Sequence, residues 1–224
     1  MNVFCTPGVV ESSAVQNTLG VDGGSGPVFG WKARVPLASG RFDRTEVDMQ
    51  WGRLLVEAKL TEFDFQTCAR IVVEAYRDFD EVFDREMLPR VEIAVGRRKV
   101  ETEFPEDYSQ QEVLGDVDCF RELRVVPRDA VGGYASYQLI RNVLAAYAQG
   151  ASFCVIHDGR RPDLREEWFQ VMRAVKSAEL RVRLKVMTWQ ELAAALPEEL
   201  QSFLDIKYGI IAPDRRASLL EDAI

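Results

Sequence analysis

The stretch TEVDMQWGRLLVEAKLTE, residues Thr45 to Glu62, decides how the chain reads. Apolar and polar residues alternate on both sides of Gly52-Arg53, and alternation at period two marks strands with one face buried. A two-residue turn at Gly52 and Arg53 pairs Trp51 with Leu54. Continued, that ladder sets Met49 opposite Val56, Asp48 opposite Glu57, Val47 opposite Ala58 and Glu46 opposite Lys59. One face then carries Val47, Met49, Trp51, Leu54, Val56, Ala58 and Leu60, while the other carries Glu46, Asp48, Gln50, Leu55, Glu57 and Lys59. Directly opposed residues have β-carbons about 5 Å apart, so Asp48 facing Glu57 is a costly like-charge pair unless a cation lies between them. Mg²⁺ is commonly held by one or two carboxylates, with water and substrate phosphate completing its shell. Lys59 stands two residues along the same face. These parts suit phosphodiester hydrolysis by a Mg²⁺-bound water, with Mn²⁺ as a substitute, Asp48 and Glu57 as metal ligands and Lys59 as the catalytic lysine. The competing reading is a solvated, salt-bridged face with Glu46 opposite Lys59, which leaves the Asp48–Glu57 pair and Leu55 among polar neighbours unexplained.

Working outward, a strand is expected over 31–37 and a helix over 66–76, with Cys68, Ile71, Val72 and Ala75 on one stripe. A Gly-, Ser- and Pro-rich N-terminus, residues 1–30, reads as a short helix near 9–19 followed by a flexible loop. Its glycines match no phosphate-binding fingerprint. The last third alternates: a helix over 135–148, a strand over 152–157, a helix over 163–178 capped by Asp163, a strand over 181–188 and a helix over 189–204. Thr188 followed by Glu191 forms a capping box for the last of these. Strands alternating with helices predict an α/β fold with a mixed central β-sheet flanked by helices, built as one domain over residues 1–224. The segment 77–133 reads as an insertion, with a hairpin turning at Gly96.

Composition removes several function classes. The 224 residues carry 36 acidic against 28 basic side chains, a formal charge of −8, so any polyanion site is a local patch. No apolar run is long enough to cross a bilayer and no signal peptide is apparent, which points to a cytoplasmic protein without membrane contact. Cys5, Cys68, Cys119 and Cys154 are scattered without a CxxC pair, which argues against zinc and against a disulfide framework. The single histidine, His157, has no nucleophile motif beside it and reads as a strand-end residue.

Asp48, then eight residues, then Glu57-Ala58-Lys59 resembles the motif of the PD-(D/E)XK nuclease superfamily, with Val47 where that family often has proline. The resemblance extends over residues 9–60 and 135–188 and implies a restriction-endonuclease-like core that carries 77–133 as an insertion. It implies an auxiliary polar residue on the helix after the third core strand. There Gln138, Arg141 and Asn142 share a face, and Gln138 is the first choice. It also implies a further carboxylate ligand from the first helix, for which Glu11 is the acidic residue at hand. Lys32, Arg41 and Arg44 precede the hairpin closely enough to steer a phosphate backbone, and Arg141, Arg160 and Arg161 are further expected nucleic-acid contacts. Arg181, Arg183 and Lys185 alternate and would share one strand face. The function so implied is a metal-dependent nuclease acting on DNA, with RNA not excluded and a homodimer left open. The alternative is an inactive relative of the same fold that binds nucleic acid or protein.

Overall fold

The computed structural model describes residues 3–22, 24–44, 46–92 and 132–213. Helix α1 (Ser13–Leu19) and strand β1 (Val28–Lys32) come first, then the short β2 (Val35–Pro36) and β3 (Phe42–Asp43), and the hairpin of β4 (Glu46–Trp51) and β5 (Leu54–Lys59). A middle segment holds β6 (Cys68–Ala69), α2 (Arg70–Val73), α3 (Phe79–Val82), β7 (Arg90–Glu92) and β8 (Gly132–Tyr134). The rest is α4 (Tyr137–Gln149), β9 (Ser152–His157), α5 (Pro162–Ala174), α6 (Ala178–Arg181), β10 (Leu184–Thr188), α7 (Trp189–Ala193) and α8 (Glu198–Tyr208).

Five strands form the central sheet in the order β1-β4-β5-β9-β10. The first three pair antiparallel, and β5, β9 and β10 run parallel, so the sheet is mixed as the sequence pattern requires. Gly52, at φ +57°, supplies the left-handed turn residue that lets β4 fold back on β5. On one face Leu55, Phe153 and Val155 pack with Leu139, Ile140 and Val143 of α4 and Trp168 of α5. On the other, Met49, Trp51, Val56 and Ile156 pack with Val15 and Leu19 of α1, Leu192 of α7 and Leu204 of α8. Leu54, Leu55 and Val56 are all buried, and full burial of each such side chain contributes about 1.5–3 kcal/mol. Strand β5 is thus covered on both faces of the sheet. No helix among the described residues is long and apolar enough to cross a membrane.

Several elements differ from the sequence expectation for identifiable reasons. The strand over 31–37 divides, since β1 ends at Lys32 and Val35–Pro36 pairs instead with β3. The helix over 66–76 is replaced by β6 and the single turn α2, because Cys68 and Ala69 pair with Tyr134 and Gly133 of β8; Ile71 is consequently exposed. Helix α5 stops at Ala174, before the lysine and serine that were to continue it, and starts from Pro162 with Arg161 at the cap position and Asp163 inside the first turn. Residues 178–181 form α6 rather than strand, so Arg181, Arg183 and Lys185 do not share a strand face. The helix over 189–204 breaks into α7 and α8 around Pro197, as a residue without an N–H must. The capping box of Thr188 and Glu191 forms as expected. The described flanks of the 77–133 segment are integrated rather than appended. Phe79, Val82, Phe83 and Tyr134 join the same core as α4, whereas the expected hairpin at Gly96 lies outside the described residues.

Candidate active site

The ladder between β4 and β5 runs Trp51–Leu54, Gln50–Leu55 and Met49–Val56, as read from the sequence, and then stops short of Asp48 and Glu57. The β1–β4 register likewise passes over Gly30 and Asp48, where Gly30 sits at φ +58°. In a regular continuation the Ala58 N–H would donate to the carbonyl of Val47. It donates instead to Asp48 Oδ2 at 2.7 Å. The Asp48 carboxylate thus takes the place of a ladder carbonyl and is held beside Glu57 without being its paired neighbour.

Glu57 and Lys59 lie under α4, 2% and 5% exposed. Lys59 Nζ forms an ion pair with Glu57 Oε1 at 2.8 Å and donates to Gln138 Oε1 at 2.8 Å. The ammonium also lies 5.4 Å from the centre of the Phe65 ring. Glu57 Oε2 accepts from Asn142 Nδ2 at 2.9 Å, so both carboxylate oxygens are engaged, as burial of a charge demands. Gln138 and Asn142 are one helical turn apart on α4, which is why one helix face reaches both members of the pair. His157 is buried at the end of β9, beside Lys59 in the parallel register, with Nδ1 on the Asp158 carbonyl.

Asp48 differs from its neighbour. The residue is exposed, yet crowding by the surrounding chain removes water from its carboxyl and, with the charge of Glu57, pushes its pKa up to about 6. The Ala58 N–H and Lys59 pull the other way, and Glu62 adds to the upward push. Glu62 carries a lowered pKa although burial works against this, because its carboxylate accepts the backbone N–H groups of Leu60 and Thr61.

A hard divalent cation fits this donor set. A carboxylate crowded by a second one suits an ion that keeps part of its water shell. Among the described residues no group of three or more His, Cys, Asp or Glu side chains is placed to hold a metal. Glu11 in particular is not brought to the hairpin. It is exposed ahead of α1, and its neighbours Val9 and Val10 belong to the core on the sheet face opposite Glu57. Glu11 is therefore not brought together with Asp48 and Glu57 as expected.

Residues 1–209 match the family described as Restriction Endonuclease associating with ARP. The chain belongs to that restriction-endonuclease family. No curated protein and no solved structure matches it. The mixed five-stranded sheet flanked by helices is consistent with the restriction-endonuclease-like fold that the family implies.

The basic residues of this restriction-endonuclease relative divide into two groups. Lys32, Arg41 and Arg44 are exposed on the segment leading into β4, with Lys32 3.8 Å from Glu46. Arg141 is 4% exposed and donates to the Glu46 carbonyl and to Asn142, so it is a structural side chain and not a surface contact for nucleic acid. Arg161 is fastened to Asp163 and to the carbonyls of Glu62 and Phe63. Arg160 forks onto Asp158 and the Tyr208 carbonyl. Both close loops at this end of the sheet, and the Arg160 side chain remains exposed. Sequence reasoning placed Asn142 on the right helix face but did not single it out. The signal was its spacing of four from Gln138.

Proposed function

We propose that the protein is a Mg²⁺-dependent nuclease that hydrolyses phosphodiester bonds of DNA at Asp48, Glu57 and Lys59, with Mn²⁺ able to replace Mg²⁺. The observation that carries this reading is the buried Glu57–Lys59–Gln138 cluster beside an Asp48 carboxylate that has, among the described residues, a single protein donor. Asp48 and Glu57 would hold the cation, which supplies a Lewis acid for the phosphate and acidifies the attacking water. An ammonium group has three hydrogens. Glu57 and Gln138 take two of those of Lys59, and the third serves a phosphate oxygen, where it stabilises charge that grows in the transition state. Gln138 fixes the ammonium, and the Phe65 ring covers part of it from water. Lys32, Arg41 and Arg44 guide the phosphate backbone towards Asp48, a role that adds affinity without sequence preference.

The test is cleavage of single-stranded, duplex and branched DNA, and of RNA, with Mg²⁺ or Mn²⁺. The wild type cuts at least one of these, and Asp48→Asn and Lys59→Ala each lower the rate by about 10²-fold or more, the usual loss when one charge-stabilising group is removed. Cleavage that survives Lys59→Ala unchanged removes the catalytic assignment. A wild type that cuts none of these substrates leaves the family fold as a binding module.

A further inference from the structure

We infer that Arg141 and Asn142 are positioning residues for the two cation-binding carboxylates, an inference that rests on the active site proposed above. A guanidinium as buried as that of Arg141 is costly unless its donors are satisfied. Among the described residues it forms no ion pair with a carboxylate. Its Nη2 donates to the Glu46 carbonyl at 2.9 Å, Nε and Nη2 both lie 3.3 Å from Asn142 Oδ1, and the group stands 5.6 Å from the Tyr137 ring centre. Arginine only donates, so it can meet only the oxygen end of the Asn142 amide. That fixes the amide with Nδ2 towards Glu57 Oε2. With the amide reversed, its oxygen would face the carboxylate and repel it.

Glu57 is therefore held at two points, by Asn142 on one oxygen and by Lys59 on the other, which leaves its rotation about the terminal bond no freedom. The same guanidinium also grips β4 at Glu46, two residues before Asp48, where the β4–β5 ladder has already ended. Arg141 thus ties the strand bearing Asp48 to the side chain orienting Glu57. Neither residue need touch the cation to set how the two carboxylates meet it. Partners of metal-binding groups act in this way, and their loss typically costs about 10–100-fold in metal affinity.

Titration calorimetry of the whole chain with MnCl₂ alone tests this without reference to cleavage. Asn142→Ala should weaken Mn²⁺ binding by about 10-fold or more, and Arg141→Lys, which keeps the charge but loses the planar fork, should weaken it in the same direction. Both variants should keep the far-ultraviolet circular dichroism of the folded protein. If Asn142→Ala does not fold, Arg141→Lys decides, since it leaves the packing of α4 in place. Wild-type affinity in the folded variants overturns the relay and leaves the proposed site standing. A wild type that binds no Mn²⁺ overturns the site itself and the relay with it.

Discussion

Two aspartates near the ends of adjacent parts of the central sheet are treated in opposite ways. Asp158 directly follows β9 and is 6% exposed. Its carboxylate accepts the backbone N–H and the guanidinium of Arg160 and the amide of Gln190. Burial works to raise its pKa, but these donors outweigh it and hold the group down at about 2. Asp48 is exposed, accepts from the Ala58 N–H, and is pushed up to about 6 by loss of water and by Glu57. A carboxylate saturated with donors works for the fold: Asp158 ties β9 to α7 through Gln190 and, through Arg160, to the end of α8 at Tyr208. A carboxylate left short of donors beside another negative charge weakens the fold, and such a cost is expected where a ligand later supplies the missing partner.

Loss of a donor-saturated charge should be the most damaging change, and Glu57 provides the extreme case. Lys59→Met leaves that buried carboxylate with Asn142 but without a counter-charge, and breaking a buried pair from one side costs about 3–5 kcal/mol. Urea denaturation should show it as a lowered midpoint with an unchanged slope. A midpoint equal to that of the wild type would mean that the pair is not buried as described. Asp158→Ala comes next. Hydrogen bonds to a charged group contribute about 1.5–3 kcal/mol, and Arg160 would lose its fork. The pH dependence has a definite sign: the folded-state pKa of about 2 lies below the ordinary 3.8, so the contribution is complete above about pH 4 and disappears as pH falls through about 2. The wild type should lose stability across that window, and Asp158→Ala should lose less. Parallel acid transitions of the two proteins would count against the network.

What was legible in the sequence follows the range of the interactions. The β4–β5 hairpin is set by a two-residue turn and by alternation, both local, and its register was readable as far as Met49–Val56. The departure at Asp48 was not, because it depends on Gly30 of β1 and on a side chain replacing a ladder carbonyl. Helix α4 and strand β9 were readable from their own periodicity. The helix expected over 66–76 failed because its first residues pair with β8, more than sixty positions away in the chain. Pro197 did mark the break between α7 and α8, and the apolar pattern running through it obscured the signal. At the candidate site, Asp48, Glu57 and Lys59 came from strand register, and Gln138 from the family resemblance narrowed by one helix face. Arg141 was misread because a basic residue on a helix implies surface, and only the docking of α4 over the broken ladder shows why this one is inside.

Asp48→Asn should have the smallest effect on stability, and it is the sharpest test of the contrast. The folded-state pKa of about 6 lies above the ordinary 3.8, so the folded protein binds this proton more tightly than the unfolded chain does. Stability linked to Asp48 is therefore complete below about pH 4 and is lost as pH rises through about 6, the reverse of Asp158. Asparagine cannot ionise, so with a chelator present that loss is absent from the variant. Near pH 7 its urea midpoint should match or slightly exceed that of the wild type, within the ~0.5 kcal/mol usual for a surface change. Added Mg²⁺ should then raise the wild-type midpoint and leave the variant where it was, because a ligand stabilises only the state that binds it. If Asp48→Asn instead weakened the metal-free protein as much as Asp158→Ala does, Asp48 would be a structural carboxylate, and the difference between the two aspartates would lie only in their exposure.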